Sequence, residues 1–321
     1  MCAVMAGFAG EGATEKPTMS KKSYVYKTVE NPPPYAGTTE IRADVIAPMD
    51  GKQHPVVVYL HGGGLINGSR ANIQFGLDTF CQQEGYIYIS ADYRLGPETK
   101  VAGIVEDVRD LLRWVREEGP ALFGADPERV AMTGVSAGAY LALAAATEPP
   151  RPKALVSAWG YADLLADWYT KPWPLFADQS VDRDTAYGEV YKEVLTETSG
   201  SSGHPARKAI YVYLRREGLS TKELTGFDPE TQREKILPLC PRFNVTPDYP
   251  PTLLVHRERD DQVPVSESIN MAAALKAKGV AHELKLFPTG KHSLNNSTPE
   301  QLAAEGACMH SFLRRHLGAG S

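Results

Sequence analysis

The sequence predicts an α/β fold, a mostly parallel sheet with helices on both faces. Strand-like and helix-like segments alternate along most of the chain, as in folds built from right-handed β–α–β crossovers. Several strands are continuous apolar runs, the pattern of a sheet covered on both sides. One intervening segment, VEDVRDLLRWVREEG, places Val105, Val108, Leu111, Leu112 and Val115 at helical spacing on one face.

In chain order, residues up to Lys22 read as a loose arm. SYVYKTV and TEIRADVIAP follow as strands rich in β-branched and alternating residues. PVVVYL (Pro55 to Leu60) is a buried strand, Asn72 to Glu84 suits a helix, and YIYISADY (Tyr86 to Tyr93) is a second buried strand. The amphipathic helix after it is stopped by Gly119-Pro120. ADPERVAMTG is a turn leading into a strand, Ala137 to Thr147 a helix of small residues, and KALVSAW another strand. PTLLVHRE, a helix from Ser266 to Lys278, HELKLFP and a helix from Pro299 to His316 complete the pattern. Residues 159–250 break the alternation. They carry Trp159, Trp168 and Trp173 together with the flexible tract GSSG, and are expected to form a cap inserted into a core of residues 23–158 and 251–321.

Composition bounds the function. The 321 residues are 42% apolar and 23% charged, an ordinary globular balance, with a net charge of −5. Without a basic block, nucleic acid and anionic membrane surfaces are not expected partners. The longest uncharged run, from Val130, has Gly134, Ser136 and Gly138 in its middle and is read as strand, turn and helix rather than a membrane span. The N-terminus has no positively charged start before its short apolar stretch, so no signal peptide is expected. Cys2, Cys81, Cys240 and Cys308 show no metal-ligand spacing and fit reduced thiols of a cytoplasmic protein, one disulfide remaining compatible. A homodimer through an edge strand or the last helix is compatible with the pattern, which does not itself point to one.

Two motifs carry chemistry. TGVSAGAY contains Gly134-Val135-Ser136-Ala137-Gly138, a G-x-S-x-G sequence between a strand and a small-residue helix, the setting that exposes a nucleophilic serine on a tight turn. LHGGG places bare backbone directly after the Val56–Leu60 strand. A serine attacking a carbonyl creates an oxyanion, and backbone N–H groups at Gly63, Gly64 and Ala137 would meet it. One such donor is worth about 10²–10³ in rate. Gly63 to Ser69 also reads G-x-x-x-x-G-S, but the lysine of a phosphate-binding loop is absent. The serine needs a base, and the base needs a carboxylate to orient it. His292, in a glycine-containing loop straight after HELKLF, is the expected base. His282 lies at the wrong end of that strand, His310 and His316 within the last helix, and His204 in the flexible insertion. The loop RERDDQVP offers the acid. Asp260 is the first choice, then Asp261, then Glu258.

Together HGGG, DYRLGPE (Asp92 to Glu98), GVSAG, DDQVP (Asp260 to Pro264) and GKHS (Gly290 to Ser293) resemble the α/β-hydrolase superfamily, in particular hormone-sensitive-lipase-like and related carboxylesterases. They span most of the chain in the family's order. The resemblance implies an eight-stranded, mostly parallel sheet with a cap after the sixth strand. It implies Ser136, Asp260 and His292 as catalytic triad, with Gly63, Gly64 and Ala137 as oxyanion hole. Asp92 to Glu98 would be scaffold. The chain departs from the family at Leu65, where an aromatic often follows the glycines, and at Arg257, where a glycine often follows the histidine before the acid loop. Its N-terminal arm is also short. The implied activity is hydrolysis of small carboxylic esters without metal or organic cofactor, with an amide, formamide or peptide substrate, or a non-hydrolytic acyl transfer or cyclisation, as alternatives. A ligand-binding protein on the same scaffold is the alternative of another class. Leu65, Trp159, Trp168 and Trp173 are the expected substrate-pocket residues. Activity should fall at acid pH as the base protonates, on the order of pH 6–7.

Overall fold

The computed structural model describes residues 17–188, 190–198, 205–292 and 297–318. Eight strands run in chain order: β1 (Met19–Glu30), β2 (Thr38–Pro48), β3 (His54–Leu60), β4 (Ile87–Ala91), β5 (Ala125–Val135), β6 (Ala154–Ala158), β7 (Thr252–Arg257) and β8 (His282–Phe287). They form one sheet in the order β1-β2-β4-β3-β5-β6-β7-β8. β2 is antiparallel to both β1 and β4, and every pairing from β4 to β8 is parallel.

The apolar runs are explained by that arrangement. All seven residues of β3 are buried. Val56, Val58 and Leu60 point into the core on one face, Val57 and Tyr59 into the core on the other, because successive side chains of a strand alternate. The helices are α1 (Leu77–Glu84), α2 (Val101–Glu117), α3 (Gly119–Phe123), α4 (Ala137–Ala145), α5 (Asp167–Thr170), α6 (Arg183–Tyr187), α7 (Pro205–Glu217), α8 (Ser220–Thr225), α9 (Arg233–Ile236), α10 (Ser266–Ala277) and α11 (Pro299–Leu317). The first core takes the expected stripe of α2 together with α4 and α10, and the second takes α1 and α11. Between β6 and β7 the described residues form helices and turns and no strand. None of the described helices is long and apolar enough to cross a membrane.

Three boundaries differ by a turn or more from the expected ones, among them the start of α2, at Val101 and not Val105. β1 begins at Met19 inside the expected arm, where Met19 to Lys22 pair with Val45 to Pro48, so the long partner strand recruits residues whose own pattern is not strand-like. The helix expected from Asn72 begins only at Leu77. Phe75 (φ 60°) and Gly76 (φ 57°) are left-handed there, and two consecutive such residues cannot belong to a right-handed helix. His204, the GSSG tract and residues 293–296 lie outside the described residues, as does Cys2. Cys81, Cys240 and Cys308 are free thiols.

Candidate active site

The nucleophile candidate sits where β5 turns into α4. Ser136 has φ 53° and ψ −118°, a conformation that L-residues rarely adopt and that persists only where the surroundings over-determine it. Here its N–H donates to Ala158 O (2.9 Å) and its carbonyl accepts from Tyr140 N (3.0 Å). The two motif glycines are set by close approach. A Cβ on Gly134 would lie 2.4 Å from the Gly138 carbonyl carbon, and one on Gly138 would lie 2.2 Å from Leu60 O. The start of α4 is thus pressed against the end of β3, bringing GVSAG and HGGG together. Gly138→Ala is expected to force the two motifs apart and to cost about 1–3 kcal/mol, the range of an overpacked core, read in urea denaturation. Undiminished stability would show that the contact yields cheaply.

The candidate base and acid arrive from the next loops of the same sheet edge. His292 Nε2 lies 3.0 Å from Ser136 Oγ, and His292 Nδ1 lies 2.7 Å from Asp260 Oδ2. The carboxylate accepts twice more at Oδ1, from Gln262 N and Val263 N, both at 2.9 Å. Burial opposes ionisation of Asp260, but the His292 hydrogen bond and charge and the Val263 N–H outweigh it, holding this carboxyl below the usual range. Asp261 instead turns outward to Lys291 Nζ at 3.2 Å, while its carbonyl accepts from Trp173 Nε1. Of the three carboxylates offered by the sequence, Asp260 is the one in contact with His292.

Behind the Asp260 carboxylate stands His256, to which no motif of the sequence assigns a role. Its Nε2 donates to Val263 O (3.0 Å), which leaves Nδ1 to accept from Ser268 Oγ (2.7 Å), and its Nε2 is 3.6 Å from Asp260 Oδ2. Burial pushes its pKa down to about 4 against the pull of Asp260, so the ring is neutral.

After β3 the chain coils tightly. Gly63 has φ 114° and its carbonyl accepts from Ile66 N and Asn67 N, and a Cβ there would collide with the Asn67 carbonyl at 2.0 Å. Only glycine satisfies both conditions. Gly64 packs its bare Cα against the ring of Tyr211 on α7. Among the described residues, the N–H groups of Gly63, Gly64 and Ala137 have no intramolecular acceptor. His61 anchors the coil from inside. It is fully buried, stacked on Tyr93 (4.3 Å between centroids), and its carbonyl accepts from Tyr93 Oη at 2.8 Å. Burial, opposed by the Gly62 carbonyl, pushes its pKa down to about 4. The DYRLGPE segment supports this region. Asp92 accepts from Arg70 N (2.7 Å), and Glu98 holds Arg207 of α7 in a buried bidentate pair at 2.8 and 2.9 Å.

His61 and His256 give the fold an acid limit. Both bind their proton near pH 4 when folded and near 6.5 when unfolded. Between those values the unfolded chain holds more protons, so stability is complete above about pH 6.5 and is lost as pH falls toward 4. The loss approaches about 3 kcal/mol per histidine. Urea midpoints at pH 7, 5.5 and 4.5 should therefore fall steadily, and equal midpoints would mean that these rings are not held neutral.

The four expected pocket residues separate. Leu65 is fully buried in the first core, its carbonyl accepting from Gly96 N. Trp159 packs in the second core against Phe75. Trp168 is buried with Nε1 on Glu267 Oε1 at 2.9 Å. Trp168, Trp173, Tyr169 and Phe176 surround the guanidinium of Arg215, which donates to Trp168 O and Gln262 O and so ties α7 to the acid loop. A cavity of about 320 Å³ opens between α7 and the acid and base loops, lined by Phe176, Tyr211, Val212, Gln262 and Lys291. Tyr211, Arg215 and His256 were invisible in the sequence, since each acts through a contact across more than 40 residues or through a backbone carbonyl. Among the described residues no group of three His, Cys, Asp or Glu side chains is placed to hold a metal.

Residues 57–185 match a family described as alpha/beta hydrolase fold, and residues 205–320 match the prolyl oligopeptidase family. Over 84% of this chain the sequence is 29% identical to non-reducing polyketide synthase atr1 of Stereocaulon alpinum, of whose length the chain spans only 12%. A shorter stretch, 32% of the chain, is 39% identical to phenmedipham hydrolase of Pseudarthrobacter oxydans, covering 22% of that protein. Among solved structures, Thermogutta terrifontis esterase 2 phosphoramylated by tabun superposes with a TM-score of 0.62 over 94% of this chain and 96% of the esterase, at 22% identity, a likeness of fold.

Proposed function

We propose that this chain, which matches the alpha/beta hydrolase fold family over residues 57–185 and the prolyl oligopeptidase family over residues 205–320, is a serine hydrolase that cleaves carboxylic esters through an acyl-enzyme on Ser136. The observation that carries this reading is the unbroken chain Ser136 Oγ–His292–Asp260, at 3.0 and 2.7 Å, beside three uncommitted backbone N–H groups.

Asp260 accepts a hydrogen bond from the Nδ1–H of His292, which keeps that proton on Nδ1 and leaves the Nε2 lone pair facing Ser136. As Ser136 Oγ bonds to the ester carbonyl carbon, its proton passes to Nε2, and the carbonyl π electrons move onto oxygen. The N–H groups of Gly63, Gly64 and Ala137 receive that oxyanion. Collapse breaks the bond to the leaving alkoxide, which takes the Nε2 proton and departs as an alcohol. Water then gives a proton to Nε2 and its oxygen to the acyl carbon. Breaking the acyl–Oγ bond releases the acid and returns the proton to Ser136. The residues between β6 and β7 act as a cap, whose Phe176 and Tyr211 line the cavity beside the acid and base loops.

The alignment of most of this chain with a segment of non-reducing polyketide synthases favours a second reading on the same residues. In it, Ser136 takes a polyketide acyl chain from a thioester and passes it to water or to a hydroxyl of the chain itself, releasing acid or lactone.

Fluorophosphonate labelling followed by peptide mapping tests the common step. The label should fall on Ser136 in folded protein, and excess p-nitrophenyl acetate present during labelling should slow it. An unlabelled Ser136 in a folded, inert protein would remove the hydrolase reading. Comparing p-nitrophenyl esters with N-acetylcysteamine thioesters of aromatic acids then separates the two substrate classes.

A further inference from the structure

The turn that presents His292 is held from behind by a buried charged network. β8 ends at Phe287, and Thr289, Gly290 and Lys291 lead to His292. Two carbonyls of this turn are taken by side chains. Lys291 O accepts from Arg257 Nη1 at 2.7 Å, and Thr289 O accepts from Gln301 Nε2 at 2.9 Å. Glu305, on α11, orients both donors. It accepts from Arg257 Nε (2.8 Å) and Nη2 (2.7 Å) and from Gln301 Nε2 (2.9 Å). The side chains of Arg257 and Glu305 have no exposed surface, and the guanidinium lies 4.4 Å over the Trp159 ring. Gly290, at φ 90°, seats the turn directly on the network, since a Cβ there would lie 2.9 Å from Arg257 Cδ and 2.6 Å from Gln301 Nε2.

Arg257 also touches the acid. Its carbonyl accepts from Asp260 N at 3.1 Å, while the neighbouring Glu258 N donates to Phe287 O at 2.8 Å. One residue therefore grips the acid loop with its backbone and the base turn with its side chain. A buried ion pair is a poor way to gain stability, because desolvating two charges cancels much of their attraction and a packed apolar pair often serves as well. What a guanidinium adds is direction. Its rigid fork fixes a carboxylate and a carbonyl in one plane.

We propose that the Arg257–Glu305–Gln301 network is the positioning device of the catalytic base, setting the distance and angle between His292, Asp260 and Ser136. The proposal rests on the reading of those three as the triad. It accounts for an arginine at a place where similar enzymes often carry glycine.

The test compares Arg257→Met, the double variant Arg257→Met/Glu305→Leu, and Gln301→Met, each by thermal unfolding and by kcat and KM on p-nitrophenyl acetate. Arg257→Met alone leaves Glu305 buried and unpaired and should lower Tm. The double variant removes both charges at similar volume and should regain Tm, while kcat stays down by about 10²-fold at near wild-type KM, the scale of a misplacement of about 1 Å. A double variant with both wild-type Tm and wild-type kcat overturns the proposal. Where the double variant fails to fold, Gln301→Met decides. It keeps the ion pair and should lower kcat about tenfold at unchanged Tm, and an unchanged kcat overturns the proposal. Ser136→Ala run alongside separates the two levels. Full activity in that variant removes the triad reading itself. An inert Ser136→Ala beside a fully active double variant removes only the positioning role.

Discussion

Ser136→Ala is expected to fold normally and to lose on the order of 10⁵–10⁶ in kcat on p-nitrophenyl esters, because nucleophile, base and acid act as a unit and removing one forfeits most of what all three provide. The variant keeps the backbone N–H groups of Gly63, Gly64 and Ala137. A residue of about 10³–10⁴ over the uncatalysed rate should survive, from oxyanion stabilisation and binding alone. Alanine at φ 53° is no less strained than serine, so Tm should change little. The decisive measurement is the pre-steady-state burst of p-nitrophenolate with substrate in excess over enzyme. It should disappear in the variant, and a burst that persists would place the acyl-enzyme elsewhere in the molecule.

The second large effect separates two adjacent carboxylates. Asp260→Asn is expected to lower kcat about 10⁴-fold with the fold intact. Asparagine has the same shape, but its amide can present N–H to His292 Nδ1. The imidazole then keeps its proton on Nε2, pointing at Ser136, and cannot accept the hydroxyl proton. The Gln262 and Val263 N–H groups, which the carboxylate now satisfies at Oδ1, can still find the amide oxygen. Asp261→Asn should leave kcat within about twofold. Its side chain pairs with the largely exposed Lys291, a contact of the kind worth about 0–1 kcal/mol, and the carbonyl that holds Trp173 is unchanged. Steady-state kinetics on the two variants side by side checks the assignment. A larger loss in Asp261→Asn than in Asp260→Asn would reverse it.

How far the sequence could be read depended on the range of the interaction involved. The β3, β5 and β7 runs and the α2 stripe were legible because burial on two faces or on one leaves a short-period signature in the residues themselves. Ser136 was legible for a related reason, since Gly134 and Gly138 are local necessities of a turn that brings a helix end against Leu60 O. His292 was legible by its place in a loop after the last strand. Where a neighbour imposed the conformation, local pattern misled. Met19 to Lys22 are strand only because β2 is long enough to pair with them. The helix expected from Asn72 starts late because Phe75 and Gly76 take left-handed angles. Trp159 reads as an aromatic of the insertion, yet packs in the core beneath the sheet.

The sequence by itself determined the sheet, the tight turn at Ser136, the glycine coil and the loop that carries His292, because each is specified by residue types within a few positions of one another. Only the tertiary structure shows which of Asp260 and Asp261 meets His292, since the two differ by a single position and by nothing else that composition or spacing can register. The loop's path turns one carboxylate into the interior toward His292 and the other toward solvent and Lys291. Only the tertiary structure, too, brought Arg257 to Glu305 and to the carbonyl of Lys291. Such partners lie tens of residues apart and meet because the parallel order β7–β8 and the packing of α11 close the distance, and a carbonyl acceptor leaves no trace in the residue that carries it.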